Sequence, residues 1–138
     1  MADNEEKRKR AVEYVQRWIG TGFCKDMECS DGTKFSCSGI VEEALKGCGL
    51  HHRNEPFYKL LGLYKKYKEK KSSPGPGCLV FWFIQKDGKE KLEHVDIMIN
   101  EEYLIGTCMG CETTMTAVKM NHISYQGKLR REIVDPFS

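Results

Sequence analysis

Residues 35–50 read FSCSGIVEEALKGCGL. Cys37, Ile40, Val41, Ala44, Leu45 and Cys48 recur there at i, i+3, i+4, i+7, i+8 and i+11. That spacing predicts a helix buried along one side, with Gly47 and Gly49 as stop signals. The helix starts near Ser36 or Cys37, straight after a loop over residues 20–35 rich in Gly, Asp, Ser and Thr. A cysteine at the mouth of a helix, behind a polar loop, is where a thiol has most chemistry available to it.

The elements on either side set the fold class. Upstream, Ala11, Val12, Val15, Trp18 and Ile19 predict an amphipathic helix over 5–19, ended by Gly20. Downstream, Phe57, Leu60, Leu61, Tyr64 and Tyr67 predict a third helix over 55–70, running out into lysines. The Ser-Ser-Pro-Gly-Pro-Gly stretch at 72–77 then breaks the helical period. Strands are expected at 78–84, 93–99 and 103–107, and near 115–120 and 130–134. Asp87-Gly88 is a hairpin turn between the first two. Helices first and strands second indicate α+β: N-terminal helices packed on an antiparallel sheet, in a single domain spanning 1–138.

Composition narrows the function classes. Lys and Arg exceed Asp and Glu by only two, so charge points to neither nucleic acid nor a membrane surface. The longest apolar run, CLVFWFI at 78–84, is too short to cross a bilayer. The charged start MADNEEKRKR leads into no signal-type segment, which sets an expectation of cytoplasmic synthesis. Seven cysteines is an odd number, so they do not close a disulfide framework. They must be sorted among core thiols, metal ligands and a nucleophile.

Cys37 is the candidate nucleophile. Free N–H groups and the dipole at a helix N-terminus favour a negative charge, hence a thiolate, and the same N–H groups can hold an oxyanion. A thiolate nucleophile needs an imidazole beside it, to hold the ion pair and then protonate the leaving group. His94 suits that role. It opens HVDIMIN, in which Val95, Ile97 and Ile99 alternate with His94, Asp96 and Met98. Taken by position alone, the ordinary reading of such a cysteine is core packing, and of such a histidine a structural contact.

Three segments, in order and correctly spaced, resemble the NlpC-type cell-wall cysteine peptidases. These are WIGTGF with FSCSGIVEEALKGCGL, then PGCLVFWF, then EHVDIMINEEYLIGT, covering roughly residues 14–107. The resemblance implies a papain-like fold, with Cys37 as nucleophile and His94 as base, and it requires no cofactor or metal. It implies hydrolysis of amide bonds in peptidoglycan stem peptides, and places Phe23, Ser36 and Ser38 on the substrate side. The short chain suits a phage or prophage lysis or tail protein, delivered to the cell wall by other phage proteins.

The sequence departs from the family pattern in four places. Ser36 stands where the family has Asp, Phe23 where it has Tyr, and Cys78 where it has Asp. The fourth is the third polar residue that orients the imidazole: its position falls on Gly106, which has no side chain. Thr107 should face the other side of the strand. A backbone carbonyl, a water or Glu112 is left to serve.

Cys108 and Cys111 form a C-x-x-C pair, and with Cys24 and Cys29 they could make a four-thiolate zinc site. Cys48 and Cys78 are core thiols. Trp18 and Trp82 are core or groove-wall residues. His51 and His52 follow a helix stop, where a surface role is expected. His122 sits near a turn, tied to no site. The lysine run at 65–71 reads as a solvated helix face. Two alternatives stand beside the peptidase: a papain-like amidase or acyltransferase on another substrate, and an inactive or zinc-stabilised binding module.

Overall fold

The computed structural model describes residues 3–20, 22–23, 34–35, 37–107, 118–127 and 129–138; for residues 22–23 and 34–35 this covers the backbone alone. Three helices come first: α1 (Asn4–Gln16), α2 (Cys37–Gly47) and α3 (Lys59–Tyr67). A short parallel pair, β1 (Gly22–Phe23) and β2 (Lys34–Phe35), leads into α2. Five strands follow: β3 (Leu79–Lys86), β4 (Lys89–Met98), β5 (Tyr103–Thr107), β6 (Val118–His122) and β7 (Arg130–Val134). They form one sheet in the order β6-β5-β4-β3-β7, every pair antiparallel. The expected α+β class is the observed one.

The hairpin joining β3 to β4 turns on Asp87 and Gly88 at φ 54° and 74°. Two left-handed residues make the turn whose twist matches that of the flanking strands. Nearer the sheet centre the register slips: Trp82 lies opposite His94 but Phe83 lies opposite Leu92. Glu93 is therefore an extra residue, a bulge that re-aims the chain just before His94. Burial changes at that point: β4 is exposed before it except for the half-buried Leu92, and buried from His94 onward.

Alternation sends two sets of side chains to the two faces of the sheet. Leu79, Phe81, Phe83, Val95, Ile97 and Ile105 join Ala11, Val15, Leu63 and the α2 stripe in the main core. Val80, Trp82, Met98 and Leu104 form a second cluster with Cys78 and Ile123 on the other face. Cys48 and Cys78 are both core thiols, at 2% exposure. The C-terminus is tied to α1 by Arg8, which donates to both Asp135 carboxylate oxygens at 2.9 Å.

Two expectations need correction. The helix α2 is buried on more than one side: Ser38 and Glu42 are fully buried and Lys46 nearly so. Each polar group there has work to do. The Glu42 carboxylate accepts from the backbone N–H groups of Tyr58 and Lys59, and the Lys46 ammonium donates to the Glu55 carbonyl while lying over the Phe57 ring. Those bonds also explain why α3 is shorter than the expected 55–70. Residues 55–58 are held against α2, and Lys59 enters the helix from φ 65°. The remaining expected elements appear among the described residues, α1 ending at Gln16 in a turn that reaches Gly20. Of the strand expected near 115–120, residues 115–117 lie outside the described residues, and the strand is described over Val118–His122.

Candidate active site

Cys37 is the first residue of α2, 7% exposed, so its side chain sits at the positive end of the helix dipole. His94 follows the β4 bulge and is 3% exposed. The two side chains meet and are hydrogen-bonded. The fold thus joins a helix terminus to a mid-sheet strand position across 57 residues of sequence, counting from Cys37 to His94.

A third side chain completes the chain of contacts. Asp96 Oδ1 lies 2.8 Å from His94 Nε2. With Nε2 engaged there, Nδ1 is the ring nitrogen left for the thiol. Asp96 is itself held on its other oxygen: Oδ2 accepts from Trp82 Nε1 at 2.8 Å and from the Tyr125 hydroxyl at 2.7 Å. Tyr125 belongs to a 3-10 turn, Ile123–Gln126, and its ring stands edge-on to Trp82. The carboxylate is 1% exposed and the indole fully buried, so these bonds form away from water.

The electrostatics follow from the contacts. Burial is the largest influence on His94 and disfavours its charge. The Asp96 charge and hydrogen bond, with those of Cys37, outweigh it and raise His94 to about 10. At neutral pH this imidazole is an imidazolium. Tyr125 is pushed upward, by burial first and then by the Asp96 charge, so its hydroxyl keeps its proton and remains a donor.

The expected pair, Cys37 and His94, is therefore brought together. Ser38, next along α2, is fully buried. Phe23 is placed by its backbone in β1; its side chain and Ser36 lie outside the described residues. Cys24, Cys29, Cys108, Cys111 and Glu112 also lie outside them, as does any zinc site they would form. Thr107 is buried as its strand alternation requires, and its hydroxyl has no hydrogen-bond partner among the described residues. Trp82 is fully buried.

Sequence reasoning missed Asp96 as a partner of His94. The signal was present: residues two apart on a strand share a face, and His94 and Asp96 are two apart. It also misplaced His51, which is buried at 3% exposure and bonded through Nε2 to the Tyr67 hydroxyl. The helix stops at Gly47, as expected, but the α3 residue Tyr67 stacks on the His51 ring. His52 remains exposed.

No protein-family model matches the chain, and no curated protein matches it in sequence. Solved structures do match in shape. NlpC1 from Trichomonas vaginalis aligns with 98% of this chain at a TM-score of 0.61 and 16% identity. A Staphylococcus aureus Mu50 protein, described as similar to lipoprotein and of the NLP/P60 family, aligns with 95% of it at 0.66 and 16%. NlpC2 from Trichomonas vaginalis aligns with 98% at 0.56 and 15%. The protein has the NlpC/P60 fold. It spans 45%, 42% and 49% of those three chains, so it matches less than half of each. No helix among the described residues is long and apolar enough to cross a membrane.

Proposed function

We propose that the protein is a cysteine hydrolase that cleaves amide bonds, with Cys37 as nucleophile and His94 as its acid and base. The observation that carries this reading is the buried chain of contacts from Cys37 through His94 to Asp96, set at a helix N-terminus. A histidine held as imidazolium beside a thiol supplies the proton the leaving group needs, and its charge favours the thiolate.

The steps balance with these groups alone. The Cys37 sulfur attacks the amide carbonyl carbon, and N–H groups at the α2 terminus hold the oxyanion. The C–N bond breaks as His94 gives its proton to the departing amine, leaving a thioester on Cys37. Water then attacks the thioester as His94 takes a proton from it. The C–S bond breaks, a carboxylic acid leaves, and the thiolate–imidazolium pair is restored.

For the substrate, the NlpC-type resemblance and the NlpC/P60 fold favour stem peptides of peptidoglycan. Delivery to the wall by a phage apparatus belongs to the same reading. The test is release of peptide fragments from purified peptidoglycan. The wild-type protein should release them, and Cys37→Ala should cut the rate by about a thousandfold or more while leaving the circular-dichroism spectrum unchanged. A Cys37→Ala protein as active as wild type would end this reading. Activity on small esters or amides but not on peptidoglycan would keep the chemistry and replace the substrate.

A further inference from the structure

The sequence offers no side chain at the place where the imidazole's orienting residue was expected, because that place is Gly106. The structure shows what fills the room. β4 and β5 pair Ile97 with Ile105 and Met98 with Leu104, which sets Asp96 directly across from Gly106. A Cβ built on Gly106 would stand 2.0 Å from Asp96 Oδ1 and 3.1 Å from its Cγ, so any side chain there would collide with the carboxylate. Gly106 needs no unusual backbone angle, so its smallness is explained by this approach and not by a turn.

We propose that Asp96 is the positioning residue of this site: it orients His94 from the same strand, in space that Gly106 leaves open on the neighbouring one. The proposal rests on the hydrolase reading for its catalytic meaning, but its geometry stands on contacts alone. One carboxylate oxygen meets His94, and the other is pinned by two donors from different elements, Trp82 on β3 and Tyr125 on the 3-10 turn. A carboxylate held at both oxygens cannot swing away from the ring, so the imidazole keeps one orientation and its free nitrogen stays on Cys37. Among the described residues, the ionisable groups facing His94 are Asp96 from its own strand and Cys37 from α2, and Tyr125 from the turn faces Asp96. Of these, Asp96 is the carboxylate hydrogen-bonded to Nε2.

Side-chain NMR of His94 tests this without a substrate, in a Cys37→Ala background that removes the thiol's own charge. There His94 should remain protonated at pH 7.5, and adding Asp96→Asn should lower its titration by about 1–3 pH units. Gly106→Ala should lower it too, by displacing the carboxylate. In an Asp96→Gly background, where the collision is gone, Gly106→Ala should change nothing further. With Cys37 restored, Asp96→Asn should lower kcat on whatever amide the wild type cleaves by about a hundredfold to ten-thousandfold, with KM little changed. The proposal is overturned if His94 titrates at the same pH with and without the Asp96 carboxylate, or if Gly106→Ala leaves both the titration and kcat intact. If the wild-type protein cleaves nothing, the hydrolase reading fails, and the NMR titration still decides whether Asp96 holds His94.

Discussion

Two histidines in this protein are buried equally, each 3% exposed, and they are driven in opposite directions. His94 is raised to about 10, whereas His51 is lowered to about 4. Burial disfavours the charge on both. The difference lies in the partner. His94 has a carboxylate at 2.8 Å, while His51 bonds a neutral phenol and its Nδ1 has no hydrogen-bond partner among the described residues. The carboxylate whose charge reaches His51, Glu55, makes its hydrogen bonds elsewhere, with the His52 N–H and the Tyr58 hydroxyl, and does not offset the burial. A buried histidine is thus made an acid or a packing residue by where the nearest carboxylate is already spending its oxygens.

The comparison can be broken most forcefully with pH. His51 stays neutral in the fold but gains a proton in the unfolded chain. Its contribution to stability is therefore fully present above about pH 6.5 and is lost as pH falls toward 4. The loss should be on the order of 3 kcal/mol. Urea unfolding between pH 7 and pH 4 should show that slope in the wild type and a flatter one in His51→Gln. His94 works the other way. Its contribution is fully present below about pH 6.5 and is lost as pH rises through 10. An unchanged acid slope in His51→Gln would mean that His51 is not the neutral group the geometry describes.

A smaller effect sharpens the same contrast. Tyr67→Phe removes the hydroxyl on His51 Nε2 and leaves both ring nitrogens without a hydrogen-bond partner among the described residues. The cost should be about 1–3 kcal/mol at pH 7.5, read as a lowered urea midpoint at unchanged m-value. The ring stack between His51 and Tyr67 survives this change, so no loss of stability would show that the stack, not the hydroxyl, holds the pair.

Much of this fold was legible in the sequence because the periods are clean. Strands β5 and β7 fall on the expected 103–107 and 130–134 to the residue. The stripe from Cys37 to Cys48 lies wholly in the main core. The Asp87-Gly88 turn is where it was expected. What periodicity could not convey was contact between elements. The shortening of α3 depends on Glu42, a residue of another helix. The burial of His51 depends on Tyr67, a residue of α3 stacked on its ring. The Asp96 contact was hidden differently: alternation put it on the His94 face, but a glycine on the next strand was needed to make room. A missing side chain at Gly106 carried as much information as a present one would have.

The central claim, that Cys37 is a thiol activated by its surroundings, is tested most directly by limiting alkylation of the native protein at pH 7, with each modified cysteine identified by mass spectrometry. Burial pushes the Cys48 and Cys78 thiols up, which should leave them inert. Cys37 should react at least about tenfold faster than either, and His94→Ala should remove that advantage. A native protein in which Cys37 is no more reactive than Cys48 and Cys78, with or without His94, would contradict the account.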